Sequence, residues 1–499
     1  MQTIPHHING QETLGTGTRQ GPVLNPSTAE QRALCAYADR QTVDLAVAAA
    51  VAAGRTWGQA SLAARQQVVF KMRELVRRDT DALARLIGLE HGKTFEDARG
   101  EVARGIEALE FATAAPQVTK GEYSRNVGGG IDVYSVRLPV GVVGCITPFN
   151  FPVMIPLMMG AMAVGTGNAV VLKPSEKVPS SALALAALWK EAGLPDGVWN
   201  VVNGDKEAVD ALLQHPDVPA ISFVGSTAIG EYVYRQGTAH NKRVGSYTGG
   251  KNHMIVLEDA DLEAAATAFV SAGYGSASQR CMAVSLLVAV GEHTARRLRE
   301  LIVPRIQALH VGAYDDQRAD YGPLVSAESK RAVLRAIDQC VQDGGELVLD
   351  GRGLAVAGHE QGFYVGPTLL DRVTPDMAFY KEEIFGPARG IVRVDSLDEA
   401  IRLTNSHEYG NGAVIYTGNG RAVHQFVSEV EAGMLGVNVP VPVPVGYHNF
   451  GGLRRSKFGD AHMFGPDAAR FYTKLKTVSQ RWPEAKQVAA TSLAFAPND

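Results

Sequence analysis

The chain has 499 residues, 45% of them apolar and 20% charged, and a net charge of −4. That length supports two or more domains, each with its own core, and the slightly acidic balance argues against nucleic acid or an anionic membrane as a partner. Cys35, Cys145, Cys281 and Cys340 lie far apart without a CxxC pair, which argues against a disulfide framework or a zinc site, so no metal is expected and the setting is read as reducing and cytoplasmic.

Met1–His7 lacks a basic start followed by an apolar core, so no secretory signal is expected. The first ~120 residues read as mostly helical. Thr42–Ala60 is Ala-rich with helical spacing, Ser61–Arg78 places apolar residues three and four apart, and Phe95–Ala115 is a further helix carrying Arg104. In Gly121–Arg137 a triple glycine (Gly128–Gly130) separates two Tyr/Val/Arg-rich segments and predicts an exposed hairpin. Leu138–Leu172 carries no charge and is long enough to span a bilayer, but Pro139, Pro148, Pro152 and Pro156 would break a lipid-exposed helix. It is read as strand, loop, helix and strand buried in a globular domain.

From there strands and helices alternate. Strands are predicted at Val140–Ile146, Ala169–Lys173, Trp199–Asn203 and Ala220–Val224, with helices at Val153–Val164, Ser180–Ala192, Ala208–His215 and Thr227–Arg235. After Lys251 a second series has strands at His253–Leu257, Ser285–Val290, Gly412–Tyr416 and Gly433–Val439 and helices at Asp261–Ser271, Ala295–Ala308, Ala327–Gln342 and Ser396–Asn405. Apolar strands alternating with helices argue an α/β fold with parallel sheets covered on both faces. The alternating prolines of Val439–Val445 favour a stiff, extended loop. The tail after Trp482 is Ala-rich and polar, and is read as peripheral.

Cys281 sits in Gly275-Ser276-Ala277-Ser278-Gln279-Arg280-Cys281-Met282-Ala283. The adjacent Arg280 is expected to favour its thiolate, the nucleophilic form. Phe223–Gly230 ends a strand and opens a helix, so Gly225 and Ser226 offer backbone N–H groups to a phosphate, or Ser226 simply caps the helix. Lys173-Pro174-Ser175-Glu176-Lys177 follows a strand. There a carboxylate can hold ribose hydroxyls and repel a 2′-phosphate, or the segment is a solvated turn. Asn150, in Pro148-Phe149-Asn150-Phe151-Pro152, can present its amide to a developing oxyanion or cap the following helix. Lys381–Pro387, with Glu383, reads on its own as a surface turn. Arg104 and Arg280 are candidate carboxylate binders through their planar guanidinium groups, against the default of a surface arginine.

Taken in order, Ile146–Pro152, Leu172–Glu176, Ile221–Ser226, Gly250–His253, Gln279–Ala283, Glu382–Pro387 and Gly436–Pro440 resemble the aldehyde dehydrogenase superfamily over about Ile8–Trp482. Gln279–Ala283, Lys251-Asn252-His253 and the Val-Pro repeat resemble its CoA-acylating methylmalonate-semialdehyde subgroup. The resemblance implies two Rossmann-like α/β domains, NAD-binding (1–120 and 138–250) and catalytic (251–465). It also implies a small β oligomerisation arm (121–137 and 466–482), ahead of the peripheral tail 483–499, and a homotetramer or homodimer. It implies Cys281 as nucleophile and Asn150 as oxyanion donor. Lys173, Glu176 and Lys177 fall at the adenosine ribose, Gly225 and Ser226 at the pyrophosphate, Phe149 and Thr248 at the nicotinamide, and Glu383 at its ribose. Arg104 and Arg280 match the pair that grips the substrate carboxylate.

What the resemblance implies is NAD-dependent oxidation of methylmalonate or malonate semialdehyde through a Cys281 thioester that passes to CoA, with loss of CO2. Tyr247 departs from the pattern, standing where most of the superfamily has a general-base Glu and the subgroup Asn. A phenol is a poor base near neutral pH. The alternatives are a non-acylating dehydrogenase forming a carboxylic acid, and a catalytically silent binding relative.

Overall fold

The computed structural model describes residues 2–482, and the tail read as peripheral lies outside the described residues. The first of two large sheets runs in the order Lys457–Phe458, Arg243–Tyr247, Ala220–Val224, Val142–Ile146, Ala169–Lys173, Trp199–Val201, His6–Ile8, Gln11–Thr13. Its middle five strands are parallel. Val142–Ile146 and Ala169–Lys173 are buried at every residue, as strands covered by helices on both faces must be. Among the parallel strands the chain enters at Val142–Ile146, steps outward through Ala169–Lys173 and Trp199–Val201, then returns to Ala220–Val224 on the other flank. Strand order therefore reverses at Val142–Ile146, and a crevice opens beyond the carboxyl ends Ile146 and Val224.

The second sheet runs Glu346–Leu349, Thr368–Asp371, Ala388–Val394, Val284–Val290, Asn252–Val256, Gly412–Tyr416, Met434–Val437. All its pairings are parallel except Glu346–Leu349 with Thr368–Asp371. Asn252–Val256 and Gly412–Tyr416 are buried throughout. The protein is thus the expected mixed α/β molecule with two Rossmann-like sheets. A separate three-stranded sheet joins Tyr123–Gly128, Ile131–Pro139 and Thr473–Gln480, which makes the glycine-centred hairpin and adds a third strand from the far end of the chain.

The uncharged stretch resolves as read, into Val142–Ile146, a loop, the helix Met154–Gly165 and Ala169–Lys173. Among the described residues no helix is long and apolar enough to cross a membrane.

The first ~120 residues are mostly helical as read, but their opening stretch is not. Five short strands occupy Thr3–Ala36, and two of them, His6–Ile8 and Gln11–Thr13, extend the first sheet. At two to six residues each they are too short for an alternating pattern to register. Helices begin at Arg40–Trp57, Leu62–Arg78, Thr80–His91 and Phe95–Ala112. Asp39, Ser61 and Thr94 accept N–H bonds that close three of these helix starts. The boundary drawn at residue 465 also differs from the sheet order. Lys457–Phe458 pairs antiparallel with Ser246–Tyr247, and Met463 and Phe464 pack into the core beside Tyr247.

Candidate active site

The first sheet contributes the carboxyl ends of its strands, and the second sheet contributes amino ends. Asn252 begins a strand, Cys281 lies three residues before Val284–Val290, Asn411 directly precedes Gly412–Tyr416, and Glu383 precedes Ala388–Val394. Between these ends are two cavities, of about 790 Å³ and about 270 Å³, and Cys281, Thr248 and Val224 line both. The thiol stands where the two meet.

The larger cavity brings together Phe149, Asn150, Lys173, Glu176, Gly225, Ser226, Thr248, Cys281 and Glu383. Lys177 is not among its lining residues, and its charge acts on Glu328 instead. Lys173 is 3.6 Å from Glu176, and burial lowers the lysine's pKa although Glu176 opposes this. Ser226 precedes the thirteen-residue helix Thr227–Ala239, but its side chain makes no capping bond, against the simple-cap reading. Phe149 is stacked on His91, with ring centres 5.8 Å apart, and meets Phe385 edge-on at 5.9 Å.

Glu383 is no surface turn. Its carboxylate accepts the Gly250 N–H at 3.1 Å, and burial raises its pKa to about 7 against the pull of that N–H, Lys251 and Arg389. Lys251 is itself buried, with a pKa lowered to about 7, and its ammonium holds the carbonyls of Phe379 and Glu382. The turn carrying Glu383 is thereby tied to the connector that leads into the second sheet.

The smaller cavity is lined by Arg104, Arg280, Tyr247 and Cys281 among apolar side chains. Arg104 donates to Glu107 at 2.7 Å and to the Pro444 carbonyl at 2.8 Å, which anchors the Val-Pro loop. Arg280 donates to Asp97 at 2.6 Å. Burial alone would raise the Asp97 carboxyl, but Lys93 and Arg280 outweigh it and hold the pKa low. Because Arg280 is committed to Asp97, its effect on the thiol is small. Burial, then the Glu383 charge, pushes Cys281 up to about 12, over the opposing Cys281 and Met282 N–H groups and Arg280. The expectation that Arg280 makes the thiol a ready thiolate is therefore corrected for the free protein. Cys281 is only partly buried, yet it lies deep enough that burial dominates.

Asn150 is 4% exposed, and its side-chain amide donates to the Gln279 carbonyl at 2.9 Å. It does not cap the helix Met154–Gly165. That role falls to Glu101, whose carboxylate accepts the Val153 and Met154 N–H groups at 2.8 and 3.2 Å. The other Glu101 oxygen pairs with Lys93 at 2.7 Å, with both side chains wholly buried. Lys93 also donates to the Asn150 carbonyl at 2.8 Å and lies 4.2 Å from the centre of the Phe151 ring.

Sequence reading missed Lys93, Asp97 and Glu101. A signal existed for Glu101, which interrupts the buried helical stripe of Ala98, Val102, Gly105 and Leu109. Lys93, after a glycine between helices, carries none, since lysine is ordinarily exposed.

The run into Cys281 is left-handed: Ser276, Ala277 and Ser278 have φ of 57°, 49° and 63°, each costing about 1 kcal/mol or more. Ser278 donates to the Gly273 carbonyl at 2.6 Å, and Gln279 accepts the Val325 N–H at 3.1 Å. Tyr247 is buried against Phe464 and Phe450, with ring centres 5.2 and 6.0 Å away. Its hydroxyl accepts the Met463 N–H at 3.2 Å, and burial pushes its pKa well above the usual phenol value.

The sequence and the fold have known relatives. The chain is 52% identical to malonate-semialdehyde dehydrogenase of Pseudomonas aeruginosa, over 99% of each sequence. It is 43% identical to the acylating mitochondrial methylmalonate-semialdehyde dehydrogenase of Arabidopsis thaliana, over 96% of this chain and 79% of the other. A crystal structure of methylmalonate-semialdehyde dehydrogenase from Oceanimonas doudoroffii superposes with a TM-score of 0.96 at 50% identity, covering 97% of this chain and 99% of that one. A Sinorhizobium meliloti crystal structure complexed with NAD gives 0.97 at 47%, with the same coverage. The model of the aldehyde dehydrogenase family matches residues 14–478. With a thiol set between two cavities at facing sheet ends and a family match that spans nearly every described residue, the chain belongs to the aldehyde dehydrogenase family.

Proposed function

We propose that the protein oxidises malonate or methylmalonate semialdehyde with NAD and transfers the acyl group from Cys281 to CoA, with loss of CO2, giving acetyl-CoA or propionyl-CoA. The observation that carries this reading is the smaller cavity. Its three carboxylates, Asp97, Glu101 and Glu107, are each paired with a cation, and Tyr247 replaces a base with an engaged, high-pKa phenol. Two guanidinium groups suit a carboxylated aldehyde, and no carboxylate there is poised to activate water.

The larger cavity fits NAD. Glu176, Asp205 and Glu383 line it, Glu176 disfavours a 2′-phosphate, and the uncapped start of Thr227–Ala239 suits a pyrophosphate. Glycine at 249 lets Glu383 come close, since a Cβ there would lie 2.7 Å from its carboxylate. Lys173 and Glu176 would hold the adenosine ribose, Gly225 and Ser226 the pyrophosphate, Phe149 and Thr248 the nicotinamide region, and Glu383 its ribose. When bound, NAD accepts hydride from the substrate carbon.

Cys281 supplies its thiolate to the aldehyde carbon. Asn150 Nδ2 and the Cys281 N–H hold the resulting oxyanion. Arg104 and Arg280 hold the substrate carboxylate until it leaves as CO2, and the thioester is released from Cys281 by CoA thiol. The domain division that goes with this reading is 1–120 with 138–250 for NAD and 251 onward for catalysis, with Lys457–Phe458 returning to the first sheet and Met463 and Phe464 to its core. The arm of 121–137 and 466–482, whose three-stranded sheet exposes Tyr123, Val127 and Leu475, would pair subunits into a homotetramer or homodimer. The four unpaired cysteines support a cytoplasmic setting.

The test is NADH formation from either semialdehyde with and without CoA, with the acyl-CoA identified. A second reading, hydrolysis to the acid, is favoured by Glu383, a carboxyl near 7 in the cavity that Cys281 also lines. CoA-independent turnover that yields the carboxylic acid would select it.

A further inference from the structure

Two asparagines from neighbouring strand ends meet on the carbonyl of the nucleophile. Asn252 Nδ2 lies 2.9 Å from the Cys281 oxygen and 2.8 Å from the Ala283 oxygen. Asn411 Nδ2 lies 2.9 Å from the same Cys281 oxygen and 3.4 Å from Asn252 Oδ1. Asn252 and Asn411 are 3% and 5% exposed. Carbonyls only accept, so both amides must turn their NH2 groups inward, which fixes their orientation. Space has been cleared for the pair. A Cβ at Gly250 would lie 2.9 Å from Asn411 Cβ, and one at Gly412 would lie 2.7 Å from Met282 Cε and 3.4 Å from Asn252 Oδ1.

A buried polar pair of this kind is costly unless it is satisfied, and the catalytic steps above leave it without a task. Neither residue is among the groups assigned to substrate or cofactor. What the pair fixes is the Cys281–Met282 peptide. With its oxygen held from two sides, that peptide cannot rotate, and its N–H is kept on the thiol side. A carbonyl that accepts two hydrogen bonds also makes its own N–H a stronger donor.

We propose that Asn252 and Asn411 are positioning residues that hold and polarise the Cys281–Met282 peptide, so that the Met282 N–H supports the Cys281 thiolate. The inference rests on Cys281 being the nucleophile and adds what makes its thiolate accessible in so buried a site. Supporting it, the Met282 N–H is one of the few groups that lower the thiol's pKa.

The test is the rate at which iodoacetamide alkylates Cys281 from pH 6 to 10 in substrate-free protein, with the modified peptide identified. Asn411→Leu removes one donor without adding charge. It is expected to alkylate about threefold to tenfold more slowly at each pH, with a similar fall in kcat and KM values for NAD and aldehyde within about twofold. Asn252→Ala, cutting the other donor, is read the same way should Asn411→Leu not fold. Alkylation unchanged in a folded variant would overturn the proposal, as would a fall in kcat without slower alkylation. Because no substrate enters the alkylation assay, a wrong substrate or acyl acceptor would leave this result standing, and the two readings fail separately.

Discussion

The Lys93 ammonium lies 2.8 Å from the Asn150 carbonyl and 2.7 Å from Glu101. One buried cation thus joins the loop carrying Asn150 to the helix Phe95–Ala112, and Glu101 in turn closes the start of Met154–Gly165. Replacing Glu101 by Gln takes from buried Lys93 the one carboxylate bonded to it and leaves only the more distant Asp97 as counter-charge, at a cost of about 3 kcal/mol, the low end for a broken buried pair. Urea unfolding should show that loss. A change below about 1 kcal/mol would mean that water or another group already satisfies Lys93.

Cys281→Ala should abolish turnover while leaving NAD affinity within about twofold, since the thiol lies at the end of the larger cavity. Substantial turnover by that variant would remove Cys281 as the nucleophile. In the parent protein, with the thiol pushed up to about 12, alkylation should still be climbing between pH 8 and 10. A plateau by pH 8 would contradict that environment.

Glu383, the proposed ribose contact, also makes stability depend on pH. Its folded pKa is raised to about 7, whereas an unfolded chain releases that proton near the usual ~4.3. Between those values the folded state binds the proton more tightly, so stability falls as pH rises, and above about 7 the cost is constant. Glu383→Gln should therefore be more stable than the parent by about 1–3 kcal/mol at pH 8 and gain much less at pH 5, while losing NAD affinity. Equal melting temperatures at both pH values would place the carboxylate in a more solvated position.

Arg104→Ala should raise KM for carboxylated aldehydes about tenfold or more, the scale of one charged hydrogen bond, with a far smaller effect on propanal. Equal effects on both would take Arg104 out of substrate recognition and leave it as an anchor for the Val-Pro loop through Pro444.

The alternating core was legible because parallel strands buried on both faces are mostly apolar runs. Ala169–Lys173, Ala220–Val224 and Gly412–Tyr416 fall where that pattern put them. The two-residue strand Lys457–Phe458 could not be read, because its placement depends on pairing with a segment some 210 residues earlier. The site was legible where a residue type is chemically uncommon, as with Cys281 beside Arg280 after a run of small residues. It was not where a common residue takes an unusual environment. Lys93 and Asn411 look like surface and turn residues until the fold buries them, and Arg280 looked like a thiol activator until Asp97 was found opposite.

The left-handed turn of Ser276–Ser278 sets limits on how this chain can drift. Small residues before Cys281 suggest a need for space, yet at these three positions handedness is the stronger constraint. Gly, Asn and Asp should be admitted there, while Val, Ile and Thr, though Thr is scarcely larger than Ser, should be rejected. Gly275 obeys a different rule, because a Cβ there would lie 2.7 Å from the Arg280 guanidinium. Four neighbouring small residues thus answer to two unrelated selections, and a saturation library across them should divide at Ser276, by backbone conformation on one side and by room for an arginine on the other.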